Sequence, residues 1–310
     1  MVLYWTMAFD TNPISRLSTI VVVGPGLLGG SVAKGLKAVG YAGKVIGVAR
    51  SQSTLDTAIQ VGCIDEGTSD LQQAASQADM ILLATPLKTF RSIMGQLRDH
   101  LKSGCIFTDV GSTKCSVLLD AREQLKPQQL KYLVPSHPMA GSETQGPAGA
   151  SAQMLHTRPC IVTPLPESDP DTVAAIKDMW DAIGMQVIEM TPQQHDEHSA
   201  VISHLPHLLN VMLVQTAQQL GGMEMASTGF KGATRLASSN PTIRSDILTC
   251  NRTAILNVIQ GFEKVLQSMK QKIDADDREG LLADLNDAMD FRNAWVKDFD
   301  HRGESGKTDM

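Results

Sequence analysis

Three stretches of the chain gather side chains that move protons and hold anions. "TDVGSTK" supplies Asp109, Ser112 and Lys114; "SHPMAGSETQG" supplies His137, Ser142, Glu143 and Gln145; "ISHLPHLLN" supplies Ser203, His204, His207 and Asn210; and Arg235 follows in "GATRLASSNP". Imidazole has an unperturbed pKa of about 6.5, so these histidines are candidates to take a proton from a substrate or to ligate one. Each stretch also has an ordinary use. The Asp and Ser of "DVGS" cap helices elsewhere, and a histidine before proline often only bonds its ring to backbone. A metal set is a further option, because His195, His198, His204 and His207 crowd into thirteen positions with Asp196 and Glu197. The chain lacks the His-Glu-x-x-His arrangement that puts ligands and base on one helix face, so no metal is expected. The histidines are read as base and substrate ligand.

Elements must position these groups. From Thr19 to about Met190 short apolar runs alternate with amphipathic stretches: "STIVVVG", "KVIGVAR", "ADMILLATP", "GCIFTDVGS", "KYLVPSHP", "PCIVTPL" and "MQVIEM". Most of these runs are continuous rather than alternating, as in strands buried on both faces. Helical patterns between them imply right-handed crossovers, hence an α/β domain with a Rossmann-like, mostly parallel sheet. Such a sheet places its site beyond the carboxyl ends of the strands, where the polar clusters fall. After "TPQQHDEH" strand punctuation stops. A long apolar stretch to about Leu220 is followed by a Gly/Ser/Met loop and further helical patterns, one with Ile255, Val258, Ile259, Phe262, Val265, Leu266 and Met269 at three- and four-residue spacing. The expected organisation is an N-terminal tail over 1–16, a dinucleotide-binding domain over 17–191, an all-α substrate and dimerisation domain over 192–300, and a disordered tail over 301–310. The thin helical layer buries its long apolar helix best against a second copy, so a homodimer is expected.

Five glycines fall in the sixteen positions from Val21 to Leu36. Gly24, Gly26 and Gly29 form G-x-G-x-x-G between an expected strand and an expected helix. The first makes the tight turn, the second lets a pyrophosphate approach the backbone, and the third lets helix and strand pack closely. The diphosphate belongs on the free N–H groups at that helix start, with Leu27 and Leu28 between the glycines. The next strand ends in Arg50, Ser51, Gln52 and Ser53, with no carboxylate before Asp56. A carboxylate there would accept from a ribose 2′-OH and repel a 2′-phosphate, whereas a guanidinium binds the phosphate. The cofactor read from this is NADP, clamped by Arg50 with Ser51 and Ser53; the ordinary alternative is that Arg50 is a solvated surface arginine.

Bulk properties exclude other classes. A formal net charge of −6 over 310 residues gives no general attraction to nucleic acid or acidic membranes. The five cysteines form no Cys-x-x-Cys pair and are odd in number, against a disulfide framework. The opening segment lacks a basic region and an apolar core, and no stretch reaches the roughly 18 apolar residues of a membrane span. A cytoplasmic protein with a small-molecule ligand is expected.

In order and spacing, "GPGLLGGS", "ATP", "DVGSTK", "HPMAGSETQG", "SHLPH" and "TRLASSNP" resemble the prephenate and arogenate dehydrogenase family of tyrosine biosynthesis, most closely its short arogenate enzymes. The resemblance covers about Leu17 to Asp300. It implies oxidative decarboxylation of arogenate to tyrosine by an NADP-dependent enzyme, with prephenate dehydrogenation as the alternative. It also implies roles: His137 as base, Ser112 as second partner of the substrate hydroxyl, Arg235 on a substrate carboxylate, and His207, Ser142, Ser203 and Lys231 around the substrate, Lys231 across the dimer. Thr85 and Pro86 of "ATP" join the cofactor contacts. One departure is "SNPTIR", which puts Arg244 where some prephenate-using relatives carry an aromatic residue; this favours arogenate. A β-hydroxyacid dehydrogenase would usually carry a catalytic lysine in "HDEHSAVISHLPHLLN", which has none. A non-catalytic NADP sensor would have no use for His137, Ser112 and Arg235 together.

Overall fold

The computed structural model describes residues 13–141 and 144–305. Five parallel strands, β1 (Thr19–Val23), β2 (Lys44–Val48), β3 (Glu66–Thr68), β4 (Met80–Leu83) and β5 (Ile106–Asp109), lie in the order β3-β2-β1-β4-β5. Helices α1 (Leu27–Ala38), α2 (Gln52–Gln60), α3 (Leu71–Gln77) and α4 (Phe90–Leu97) connect them, giving the Rossmann-like order with its switch point between β1 and β4. Continuous apolar runs have the physical cause anticipated. Ile20 and Val22 face one core with Val32, Leu36 and Trp180, while Val21 and Val23 face the other with Phe90, Met94 and Phe107.

Strand β3 has no counterpart among the expected runs. Its sequence is Glu-Gly-Thr, an edge strand held by backbone pairing of Ile46 with Glu66 rather than by apolar burial. The run "KYLVPSHP" predicts one strand, but only Ser136–Pro138 forms β6, because Pro135 removes a ladder N–H. After α5 (Cys115–Gln124), β6 pairs antiparallel with β7 (Pro159–Val162), which runs parallel to β8 (Gln186–Glu189) beyond α6 (Pro170–Ala182). This is a second, three-stranded sheet. Trp180 ties the two layers by donating from Nε1 to Ser136 Oγ at 3.0 Å.

Helix α7 (Pro192–Ser199) starts at a capping box in which Thr191 and Gln194 bond reciprocally. It passes through a π-helical turn, Ala200–His204, into α8 (Leu205–Leu220). Pro206 explains the widened turn: its ring has no N–H for Ile202 O and crowds that carbonyl. No residue of α8 is buried; Met212 is 44% and Leu220 83% exposed. Then follow α9 (Thr228–Ala233), a 3-10 turn Arg235–Ser238, α10 (Pro241–Cys250), α11 (Arg252–Asp274) and α12 (Arg278–Ser305).

By contact the chain groups into two units that meet at Arg252/Thr253, so the segment after the expected 191/192 boundary groups with the sheet domain as far as Arg252. The reason is that residues 192–251 bond to the sheet domain: Asp196 accepts from Lys114 N and Cys115 N, and Lys88 pairs with Asp246 at 3.1 Å. Helix α12 runs on to Ser305, five residues into the tail expected over 301–310; no proline interrupts it, and Gly303 is tolerated at a modest cost. Residues 306–310 and most of the 1–16 tail lie outside the described residues. Among the described residues no helix is long and apolar enough to cross a membrane.

Candidate active site

The turn from β1 into α1 is built around its glycines. Gly24 has φ +92°, a conformation L-residues rarely adopt, and its N–H reaches Val48 O at 2.9 Å. A Cβ on Gly29 would lie 2.8 Å from Ala84 Cβ and 2.9 Å from Val22 Cγ1, so helix and sheet touch there. A Cβ on Gly26 would meet nothing within 4 Å. That open space, at a helix start with free N–H groups of Leu27 and Leu28, fits a diphosphate. Thr85 and Pro86 follow β4 beside this turn, with Thr85 Cγ2 2.8 Å from where a Gly24 Cβ would stand and Thr85 Oγ1 2.7 Å from Thr89 Oγ1. At the end of β2, Arg50, Ser51 and Ser53 are exposed together at the start of α2. Ser51 Oγ accepts from Thr54 N (3.4 Å) and shares a 2.8 Å hydrogen bond with Ser53 Oγ. A guanidinium, two hydroxyls and a helix N-terminus fit a phosphate.

His137 sits in β6 over a buried ion pair. Lys114 Nζ donates to Asp109 Oδ2 and to Ser136 O (2.6 Å), while Asp109 Oδ1 accepts from Ser136 N at 3.1 Å. His137 is 8% exposed. Its Nδ1 lies 2.8 Å from His195 Nε2, and the rings meet edge to face. Burial, then the electrostatic influence of His195, Lys114 and His204, of which only Lys114 is charged at pH 7, hold the His137 pKa well below the usual histidine value, so the ring is neutral at pH 7. Ser112 is half-buried in the loop after β5.

The helical segment supplies the rest. His204, 2% exposed, ends the π-helical turn; burial pushes its pKa down to about 4, and the charges of His195, Arg244 and His207 add to that. Asn251 Nδ2 donates to Asp196 O at 2.7 Å, which fixes the amide orientation, and its other hydrogen meets His204 Nδ1 at 3.2 Å. His207 Nδ1 lies 3.3 Å from Leu236 O, in the turn that carries the exposed Arg235. Burial lowers the His207 pKa, helped by Arg244 and Arg235. The structure thus joins His137 to His195 and sets His207 beside the Arg235 turn, with His204 within electrostatic reach of both groups. Ser203 is half-buried in the π-helical turn, Lys231 stands exposed in the last turn of α9, and Ser142 lies outside the described residues.

His195, Asp196 and Asn251 were not read as members of a proton-handling site. Sequence reasoning gives His195 no link to His137 and Asp196 only a place in a possible metal set, yet the two spend their ring and carboxylate atoms on each other, on His137 and on the start of α5. The one available signal was their place on the first turns of a helix that follows β8.

Comparison with known proteins bears on this geometry. Residues 32–189 match the family described as prephenate dehydrogenase, nucleotide-binding domain, and residues 191–287 match prephenate dehydrogenase, dimerization domain. The chain is 31% identical to a cyclohexadienyl dehydrogenase of Zymomonas mobilis, over 91% of this chain and 98% of that one. It is 30% identical to a prephenate dehydrogenase of Bacillus subtilis, over 89% of this chain and 75% of that one. Among solved structures, a prephenate dehydrogenase from A. aeolicus in complex with hydroxyphenyl propionate and NAD+ superposes with a TM-score of 0.84 at 31% identity, covering 89% of this chain and 97% of the other. A Synechocystis arogenate dehydrogenase gives 0.77 at 30% identity, covering 89% and 99%.

Proposed function

This chain belongs to the prephenate dehydrogenase family, and we propose that within it the chain converts L-arogenate to L-tyrosine and CO2 with NADP+ as oxidant. The observation that carries the chemistry is a buried, neutral His137 bonded through Nδ1, which leaves its second nitrogen for a substrate hydroxyl. A bound nicotinamide would supply the acceptor for the hydride leaving the ring carbon that bears that hydroxyl. His137 takes the hydroxyl proton, with Ser112 as the second hydrogen-bond partner. The carbonyl so formed receives the electron pair of the bond to the departing carboxylate, and the ring becomes aromatic. Arg235 holds a substrate carboxylate, where a guanidinium can bond both oxygens, and His207 orients the same end of the substrate. Ser142, Ser203 and Lys231 complete its surroundings.

Two finer points are part of the proposal. Arg50, Ser51 and Ser53 favour NADP over NAD because they offer a 2′-phosphate a cation and hydroxyls and offer a 2′-OH no carboxylate. The choice of arogenate over prephenate rests on the resemblance: Arg244, half-buried near His204 and His207, stands where some prephenate-using relatives carry an aromatic residue. Helix α8, half-buried over residues 205–210 and largely exposed beyond them, supports a homodimer packed through the helical region. Steady-state kinetics with arogenate and prephenate, each against NADP+ and NAD+, tests the reading. Highest kcat/KM is expected for arogenate with NADP+; turnover of prephenate alone, or with NAD+ alone, would overturn the corresponding half.

A further inference from the structure

Behind His137 stands a chain of groups that the proposed reaction leaves unused. Asp196 Oδ1 accepts from Lys114 N at 2.7 Å and Oδ2 from Cys115 N at 2.9 Å, so the carboxylate is docked on the start of α5. Oδ1 also meets His195 Nδ1 at 2.7 Å, and His195 Nε2 meets His137 Nδ1 at 2.8 Å. Burial opposes the charge on Asp196, but bonds from His195, Lys114 and Cys115 outweigh it and hold the carboxyl below its usual value.

The direction of each bond then follows. A carboxylate only accepts, so His195 carries its proton on Nδ1 and presents a lone pair at Nε2. His137 must donate to that lone pair from Nδ1, which leaves Nε2 of His137 as the proton-free nitrogen. Ser199 Oγ, 3.3 Å from His195 Nε2, is a second donor to the same lone pair and agrees in polarity. The charged and titratable groups facing this chain are Lys114 and Cys115 at the start of α5, Asp109 at the end of β5, Cys160 on β7 and His204 at the end of the π-helical turn; burial raises both thiols, so neither is charged at pH 8. Lys114 is already bonded to Asp109, so among the described residues Asp196 is the carboxylate bonded to the imidazoles.

We propose that Asp196 and His195 are positioning residues: they lock His137 in the tautomer whose Nε2 is basic, and they share the positive charge the ring acquires when it takes the substrate proton. This rests on His137 being the base. The bond made is Nε2–H on His137, the bond broken is the substrate O–H, and no redox partner beyond the dehydrogenation itself is needed. A wrong tautomer leaves geometry intact and removes the base, which costs on the order of 10²- to 10⁴-fold in rate.

The tautomer is read directly on the full-length wild-type protein by ¹⁵N-histidine NMR at pH 8, with the His137 signals assigned by their loss in His137→Asn. A protonated Nδ1 and a bare Nε2 are expected; a protonated Nε2 would overturn the proposal without any variant having to fold. In kinetics, Asp196→Asn should lower kcat at least about 100-fold with KM for NADP+ within about twofold, and should erase the acid limb of the pH profile. His195→Gln keeps an acceptor for His137 and should retain more activity than His195→Leu; equal losses, or Asp196→Asn within about threefold of wild type, would refute the positioning role. If His137→Asn itself turns over normally, the base assignment fails. If it collapses while Asp196→Asn and His195→Leu do not, this inference alone fails.

Discussion

Alanine at Gly26 and at Gly29, introduced separately, should pull apart cofactor binding and folding. At Gly29 the new methyl must share space with Ala84 Cβ at 2.8 Å and Val22 Cγ1 at 2.9 Å, in a core of continuous strands that have no slack. Overpacking of this kind costs about 1–3 kcal/mol. For a chain of this length about 1 kcal/mol moves Tm by roughly 2–4 °C, so Gly29→Ala should melt about 2–12 °C lower. At Gly26 the methyl meets nothing within 4 Å and φ is negative, so Tm of the free protein should move less than in Gly29→Ala. The same methyl fills the space a diphosphate needs to reach the backbone. Losing one charge-assisted hydrogen bond there costs about 1.5–3 kcal/mol, an affinity loss of at least about tenfold. Thermal melts without cofactor and calorimetric titration with NADP+ read the two effects independently. Wild-type NADP+ affinity in Gly26→Ala, or an unshifted melt in Gly29→Ala, would refute the reading of the cradle.

Arg235→Gln should raise KM for the substrate about tenfold or more with a smaller effect on kcat, because a carboxylate loses its charged partner; an unchanged KM removes Arg235 from substrate binding. Arg50→Asp should reverse the cofactor preference, measured as the ratio of kcat/KM for NADP+ and NAD+. Since burial and positive neighbours hold the His137 pKa well below the usual value, kcat/KM should stay level through pH 6.5 and fall only at lower pH; a limb centred above 6.5 would contradict a buried base. Stability should respond in the same direction. His137, His195 and His204 all bind protons less readily folded than unfolded, so stability is intact above about pH 6.5 and declines as pH falls below it. His204, with its pKa near 4, accounts for about 3 kcal/mol of that decline, which urea melts at pH 7 and pH 5 should begin to show.

How far a linear reading reached depended on whether a feature is local. The six strands whose apolar runs match the fold (β1, β2, β4, β5, β7 and β8), the glycine turn and the helical character after residue 191 are local, because strand burial and backbone approach leave their mark on neighbouring residues. Strand β3 left none, since Glu66, Gly67 and Thr68 pair through backbone at an edge. The truncation of β6 and the widened turn at Ala200–His204 came from Pro135 and Pro206, visible in the chain but not as to which side of each proline would yield.

Residue types and their order thus determined the dinucleotide turn, the residues beyond the strand ends and the family to which they point, because each depends on chemistry carried within a short stretch. Folding alone decided the partners of His137. Its neighbour His195 is 58 positions away, Asp196 is docked on backbone 81 and 82 positions away, and Asn251 reaches back 55 positions to Asp196 O. Hydrogen-bond direction depends on which nitrogen faces which oxygen, and that is set only when α5, β6 and α7 pack against one another.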